Sequence, residues 1–262
     1  MIRAERKVER GHKWHEACLL LAEVSVLLFC LPWPVLHSVT LENEPSGDEI
    51  LARVADASIK RQAVTYSGFQ EYSLRNLRFD KEAVVFAQVS YRPIEGKLFT
   101  VLERRGSPKL AEIVEKVLAS EAEASRADKL RDHEIGPSNY VAILRGIETR
   151  AGRVCYVLGL TPKRKRKYLI RGTAWVDRDG YDLVRLEGVT ATSVSMWVGS
   201  PNIQEEFSEF DGLWLPIHTM AVSSSLLLGT SELEIRYRDY RVVDLDRVIK
   251  ARAFDLVPQP RP

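Results

Sequence analysis

The run from Lys167 to Val243 constrains this chain most, because apolar and polar residues alternate along it with a period of two. Tyr168, Ile170, Ala174 and Val176 alternate with Leu169, Arg171, Thr173 and Trp175. Val184 and Leu186 alternate with Arg185 and Glu187, and Val194, Met196 and Val198 with Ser193, Ser195 and Trp197. Leu233, Ile235 and Tyr237 interleave with Glu232, Glu234, Arg236 and Arg238. This pattern predicts antiparallel strands forming a sheet with one buried and one wet face. Asp177-Arg178-Asp179-Gly180 reads as a tight turn in which Gly180 takes a positive φ, and Asp211-Gly212 as a second turn. A sheet this long must cover its apolar face, and what covers it decides what the protein does.

The upstream half supplies two covering helices. Ser46-Gly47-Asp48-Glu49 matches a capping box, followed by Ile50, Leu51, Val54, Ala55 and Ile59 at helical spacing. Ser107-Pro108 starts a second helix with the stripe Leu110, Ile113, Val114, Val117 and Leu118. Beyond Ser120 the stripe fades, so Glu121 to Arg131 reads as a solvated extension or a mobile segment. Strands are expected from Tyr66 to Leu77, Val84 to Tyr91 and Leu98 to Leu102, with Pro93 to Gly96 as a turn. Tyr140 to Leu144 and Arg153 to Leu160 enter the main sheet. The fold class is therefore α+β: a long curved antiparallel sheet with helices on one face.

The first residues differ from the rest. Basic residues Arg3, Arg6, Lys7, Arg10 and Lys13 precede an apolar stretch from Ala17 to Leu36, the order of a secretory signal. Glu23 inside that stretch argues against a transmembrane helix, and an uncleaved amphipathic anchor is the alternative. The expected organisation is a signal or anchor over 1–38, a linker over 39–47, a domain over 48–247 and a polar tail over 248–262. Export places the protein in the periplasm. Only Cys155 would remain after cleavage, so no intramolecular disulfide is expected, and its strand-like surroundings predict a buried, inert thiol. Net charge is only +2, which gives no global field for nucleic acid.

No catalytic constellation stands out. His133 and His218 have no partner at metal-ligand spacing, and no nucleophile elbow or phosphate loop is present. Glu205, Glu206 and Glu209 cluster, but alternation puts Glu205 and Glu209 on one face, apart from Glu206, as expected of a wet sheet face. These features do not describe an enzyme. The cationic run Lys163-Arg164-Lys165-Arg166-Lys167 reads as a solvated loop, or as a lip that meets an anionic membrane surface or an acidic partner.

The order of elements, with Gly172-Thr173-Ala174-Trp175-Val176-Asp177, Val184-Arg185-Leu186-Glu187-Gly188 and Asp211-Gly212-Leu213-Trp214-Leu215-Pro216, resembles the LolA/LolB-like outer-membrane lipoprotein-sorting proteins over roughly 48–243. The resemblance implies an unclosed β-barrel whose helices form a lid over a hydrophobic cavity. It implies binding of a lipoprotein acyl chain or other lipid, an inner-membrane donor and an outer-membrane acceptor, no cofactor and no reaction. A sensor or regulatory module of the same fold, without transport, is the alternative. No acyl-binding residue is carried over from the family. Strand phase alone gives the cavity candidates Val85, Ala87, Val89, Ile170, Val176, Val184, Leu186, Met196, Val198, Met220, Leu233, Ile235 and Tyr237, several of them plain core.

Overall fold

A computed structural model describes residues 44–192, 200–225, 227 and 229–243. The segment of the expected signal, and Met196 and Val198, lie outside the described residues. The elements run α1 (Gly47–Gln62), β1 (Thr65–Asn76), β2 (Lys81–Arg92), β3 (Gly96–Gly106), α2 (Pro108–Ala124), α3 (Ala127–Leu130), β4 (Tyr140–Arg150) and β5 (Arg153–Pro162). They continue through β6 (Ile170–Asp177), β7 (Leu183–Thr190), β8 (Asn202–Phe210), β9 (Leu213–Ser225) and β10 (Gly229–Val243). Among the described residues no helix is long and apolar enough to cross a membrane.

All ten strands share one antiparallel sheet in the order β3-β2-β1-β10-β9-β8-β7-β6-β5-β4. Each strand pairs with its sequence neighbour except where β1 closes on β10, with Tyr72 opposite Ile235 and Leu74 opposite Leu233. β3 and β4 are the two edges and do not pair, so the sheet is an unclosed barrel.

The helices divide the inner face into two cores. Ile50, Leu51 and Val54 of α1 are buried against Tyr140, Leu158, Ala174 and Leu186 of β4 to β7. Ala111, Val114 and Leu118 of α2 are buried against Tyr72, Val85, Ala87 and Ile235 of β1, β2 and β10. α1 begins with the expected capping box: Glu49 N donates to Ser46 Oγ at 3.2 Å and Ser46 N donates to Glu49 Oε2 at 2.7 Å. Asp48 then accepts from the backbone of Ala142 at 3.1 Å, which ties the helix to the edge strand β4.

The outer face carries a smaller cluster of Cys155, Val157, Trp175 and Val184, with Trp214 packed on it. Val184 is there because the β6–β7 register shifts between Trp175 and Val176, so that Leu183 and Leu186 both join the inner core and Val184 faces out. The turn before β7 also differs from expectation. Gly180 has no positive φ; Tyr181 takes it, at 58°, while Gly180 N donates to Asp177 Oδ2 at 2.8 Å. The Asp211-Gly212 turn has positive φ at both positions, 50° and 79°, as a tight hairpin requires.

Candidate functional site: a cavity beneath the second helix

The stripe of α2 is wider than the sheet can take up. Ala111, Val114 and Leu118 pack down, while Leu110, Ile113 and Val117 on the adjoining side roof an open space. Its floor is Leu74, Leu233 and Ala221, and Asn76, Phe79, Lys81, Pro201, Ser223 and Ser231 complete the wall. Alanine and serine side chains are too short to fill the volume beneath a helix, and a cavity of about 300 Å³ results. That is the lower end of the range for ligand pockets, which runs from about 300 to 1,000 Å³.

One step further along the same strands, the inner face turns polar. Leu74 is followed by Tyr72 and Gln70, Leu233 by Ile235 and Tyr237, and Ala221 by Thr219, each at the two-residue spacing that keeps one face. Thr219 Oγ1 lies 3.2 Å from Tyr237 Oη and donates to Glu205 Oε1 at 3.4 Å. Tyr72 Oη bridges Gln70 Oε1 and Glu121 Oε2, the latter at 2.7 Å. Lys97 Nζ donates to Glu121 Oε1 at 2.8 Å, with side chains only 15% and 25% exposed. Gln70 Nε2 is buried and has no hydrogen-bond partner among the described residues.

Glu121 thus points inward, where the sequence suggested a solvated or mobile extension. α2 continues to Ala124, and Ser125 fixes its end by accepting from Lys97 N at 2.7 Å and donating to Ala122 O at 2.8 Å. Gly96, at φ +80°, permits this approach, since a Cβ there would lie 2.7 Å from Ser125 Oγ.

Burial governs the electrostatics of the cluster. It pushes Glu205 up to about 7, with the nearby Glu121 charge adding to the rise, while Lys97 and the Thr219 hydrogen bond oppose it. Burial alone would lower Lys97, but the charges of Glu121, Tyr66 and Tyr237 outweigh it and hold the ammonium well above its ordinary range. Tyr237 and Tyr72 are both raised, by burial first and then by the charge of Glu121. Glu205 as a residue is half-buried.

Glu205 does not share a wet face with Glu209. The β8–β9 register shifts between Glu206 and Phe207; Glu209 pairs with Arg153 at 2.5 Å, and Glu206 pairs with Arg185. His218 Nε2 lies 2.9 Å from Glu234 Oε1, a structural pairing. Among the described residues no group of three or more His, Cys, Asp and Glu is placed to hold a metal ion.

The strand-phase candidates fall into three places. Val85, Ala87, Ile235 and Tyr237 are buried in the α2 core and Val89 is buried on β2, while Ile170, Val176 and Leu186 are buried in the α1 core. Leu233 lines the cavity. Val184 faces out, and Met220, opposite Gln204 and Glu234, shares the face of His218. The cavity residues that strand phase missed include Leu110, Ile113 and Val117 on α2, whose stripe was legible, Leu74 on β1, and Ala221, whose size gave no signal. The cationic loop is largely engaged: Lys163 Nζ donates to Pro137 O at 2.7 Å, Arg164 to Asn139 at 2.7 Å, Arg166 pairs with Asp132 at 3.4 Å, and Lys167 reaches Ser120 at 3.3 Å.

No protein-family model and no curated protein sequence matches the chain. Among solved structures, a putative outer membrane lipoprotein-sorting protein domain from Vibrio parahaemolyticus is 11% identical, with a TM-score of 0.39, covering 75% of this chain and 96% of that one. The MucA/MucB complex of Pseudomonas aeruginosa is 14% identical, with a TM-score of 0.23, covering 72% and 92%. The chain is also similar, at 14% identity and a TM-score of 0.40 over 78% of its length and 97% of the other, to the LolA superfamily protein NE2245 from Nitrosomonas europaea.

Proposed function

We propose that this chain is a binding and carrier protein that shields an acyl chain of a lipid or lipoprotein inside the half-barrel. The observation that carries the reading is the cavity under α2, walled by Leu74, Leu110, Ile113, Val117, Ala221 and Leu233. An acyl chain entering such a space gains about 0.8 kcal/mol per buried methylene. The amino-terminal pattern supports export to the periplasm by the segment over 1–38 and a linker over 39–47, while the resemblance implies a binding domain over 48–247 and exchange between an inner-membrane donor and an outer-membrane acceptor.

The test is native mass spectrometry of residues 39–262 purified from a periplasmic fraction, followed by organic extraction. A bound acyl lipid or lipopeptide of defined mass is expected. Ala221→Trp, which fills the cavity from its floor, is expected to lower lipid retention at least tenfold while the far-ultraviolet circular dichroism stays that of a sheet protein. An empty wild-type protein that also fails to take up lipid would overturn the reading and leave a sensor or scaffold of the same fold.

A further inference from the structure

Neither helix core covers the middle of the inner face. The α1 core reaches from β4 to β7, with Ile203 and Phe207 of β8 only partly buried at its margin, and the α2 core reaches from β3 to β10. Between them stand Glu205 of β8 and Thr219 of β9, and the row continues at the margin of the α2 core with Tyr237 of β10, bonded to Thr219, and Gln70 of β1, opposite Tyr237. The row spans three strand intervals, about 14 Å at the usual strand spacing. A hydrophobic core has no use for such a row, because each buried polar group must be hydrogen-bonded or destabilise the fold. Here the bonding is incomplete. Thr219 donates the one hydrogen bond that Glu205 receives among the described residues, and it is long, at 3.4 Å; Gln70 Nε2, in a residue only 2% exposed, has no acceptor.

The row adjoins the apolar cavity. Ala221, in the cavity floor, is one inward position from Thr219 on the same strand, and Leu233 is two from Tyr237. A molecule with its tail under α2 and its polar end along β9 reaches Thr219 and Glu205, whereas the β2 end of the cavity carries Lys81.

We infer that Glu205 and Thr219, backed by Tyr237, form a head-group subsite that selects single-chain amphiphiles ending in an uncharged or cationic hydrogen-bond donor, and disfavours free fatty-acid anions. The inference rests on the acyl-binding reading above and deepens it. The charge pattern decides the sign. Lys97 is the cation of the cluster, and Glu121 already neutralises it at 2.8 Å. Glu205 has no ion pair of its own and receives one long hydrogen bond, so an entering carboxylate meets a like charge, and an ammonium or amide N–H meets an acceptor with spare capacity. Glu205 is not fully buried, and its strand runs beside β9, which carries the cavity-floor residue Ala221. Burial pushes the Glu205 carboxyl up to about 7.

The test uses the mature chain, a displaceable neutral fluorescent hydrophobe, and three probes with one tail: dodecylamine, N-dodecylacetamide and dodecanoate, all above pH 7 so that Glu205 is ionised. The amine is expected to displace the fluorophore about tenfold more tightly than dodecanoate, the factor one charge-assisted hydrogen bond supplies, with the amide between them. Glu205→Gln is expected to erase the preference for amine over dodecanoate, and Thr219→Val serves as the second variant should the first misfold. Tight binding of dodecanoate, or equal binding of all three, overturns the head-group subsite and leaves the acyl cavity standing. Shortening the tail from dodecyl to hexyl reads the cavity separately. If no probe binds and tail length has no effect, the acyl reading itself fails and the subsite with it.

Discussion

The two helix-covered halves of the inner face are built from similar parts and end in opposite states. In the α1 half, Ile50, Leu51 and Val54 meet Tyr140, Leu158 and Leu160, and the contact is closed; Ile50, Leu51 and Leu158 are fully buried. In the α2 half, the helix presents as many aliphatic side chains, but the strands below offer Ala221, Ser223 and Ser231, and a cavity remains. The helix ends differ in the same direction. α1 is held by a complete capping box at its start and by Arg61 pairing with Asp182 at 2.5 Å near its finish. α2 has no side-chain cap at Ser107 and is held at its far end by the Lys97–Glu121–Tyr72 cluster. One half is a structural core. The other trades packing for space and relies on a buried polar latch.

The sharpest way to break this contrast is at the latch. Lys97→Met keeps the length of the side chain and removes its charge, leaving Glu121 with Tyr72 as its hydrogen-bond partner. Removing one member of a buried pair costs about 3–5 kcal/mol, so urea denaturation should show a loss of that order. Lipid uptake should fall as well, because the roof of the cavity is no longer fixed. Loss of stability with undiminished uptake would mean that the latch serves the fold alone.

The same measurement on the α1 half should separate the two effects. Leu51 is fully buried in the closed core, and Leu51→Ala should cost about 3 kcal/mol from lost burial and the cavity left behind. At a temperature where the variant is folded, lipid affinity should stay within about twofold of wild type, below the tenfold that 1.4 kcal/mol represents. An equal loss of affinity in both variants would make the sheet one cooperative unit and end the division into a core half and a binding half.

Much of this architecture was legible in the sequence, and the illegible remainder has a common cause. The capping box, Pro108, the aliphatic stripe of α2 and, among the described residues, most of the period-two strands each act within a few residues and are found where the spacing put them. Facing is another matter, because a single extra residue in one strand moves every later residue of that strand to the other side of the sheet. Val184 faces out after such a shift, and Glu205 and Glu209 are separated by another. β9 is harder still. Its inward positions carry Thr219, Ala221 and Ser223, and Met220 faces outward among Gln204, Glu234 and His218, so apolarity points to the wrong face. Glu121 read as solvated because its partners, Lys97 and Tyr72, are 24 and 49 residues away. The half-barrel is therefore written locally, whereas the polar row and the cavity arise from non-local register.

The smallest expected effect tests that polar row by pH. Glu205 has its folded pKa raised from 4.5 to about 7, so between those values the folded state holds more of the proton than the unfolded state does. Stability from this group is therefore fully present below about 4.5 and is lost as pH rises through about 7. Lys97 of β3, Glu121 of α2, and Tyr237 and Thr219 of the neighbouring strands face the carboxyl, and of these Lys97 and Thr219 favour its ionised form. The residue is half-buried rather than fully enclosed, so the loss should be about 1–2 kcal/mol, less than a sealed carboxyl with the same pKa would show. Asp182 and Glu134 are also raised by burial, and they add a background slope in the same direction. The Glu205 contribution is thus the difference between wild type and Glu205→Gln, followed by urea denaturation at several pH values. A slope that persists unchanged in the variant would place the titration in the α1 half, with Asp182 and Glu134. A slope that vanishes would place it in the row beside the cavity, and a bound amine should then restore stability above pH 7 by giving the ionised carboxylate its missing partner.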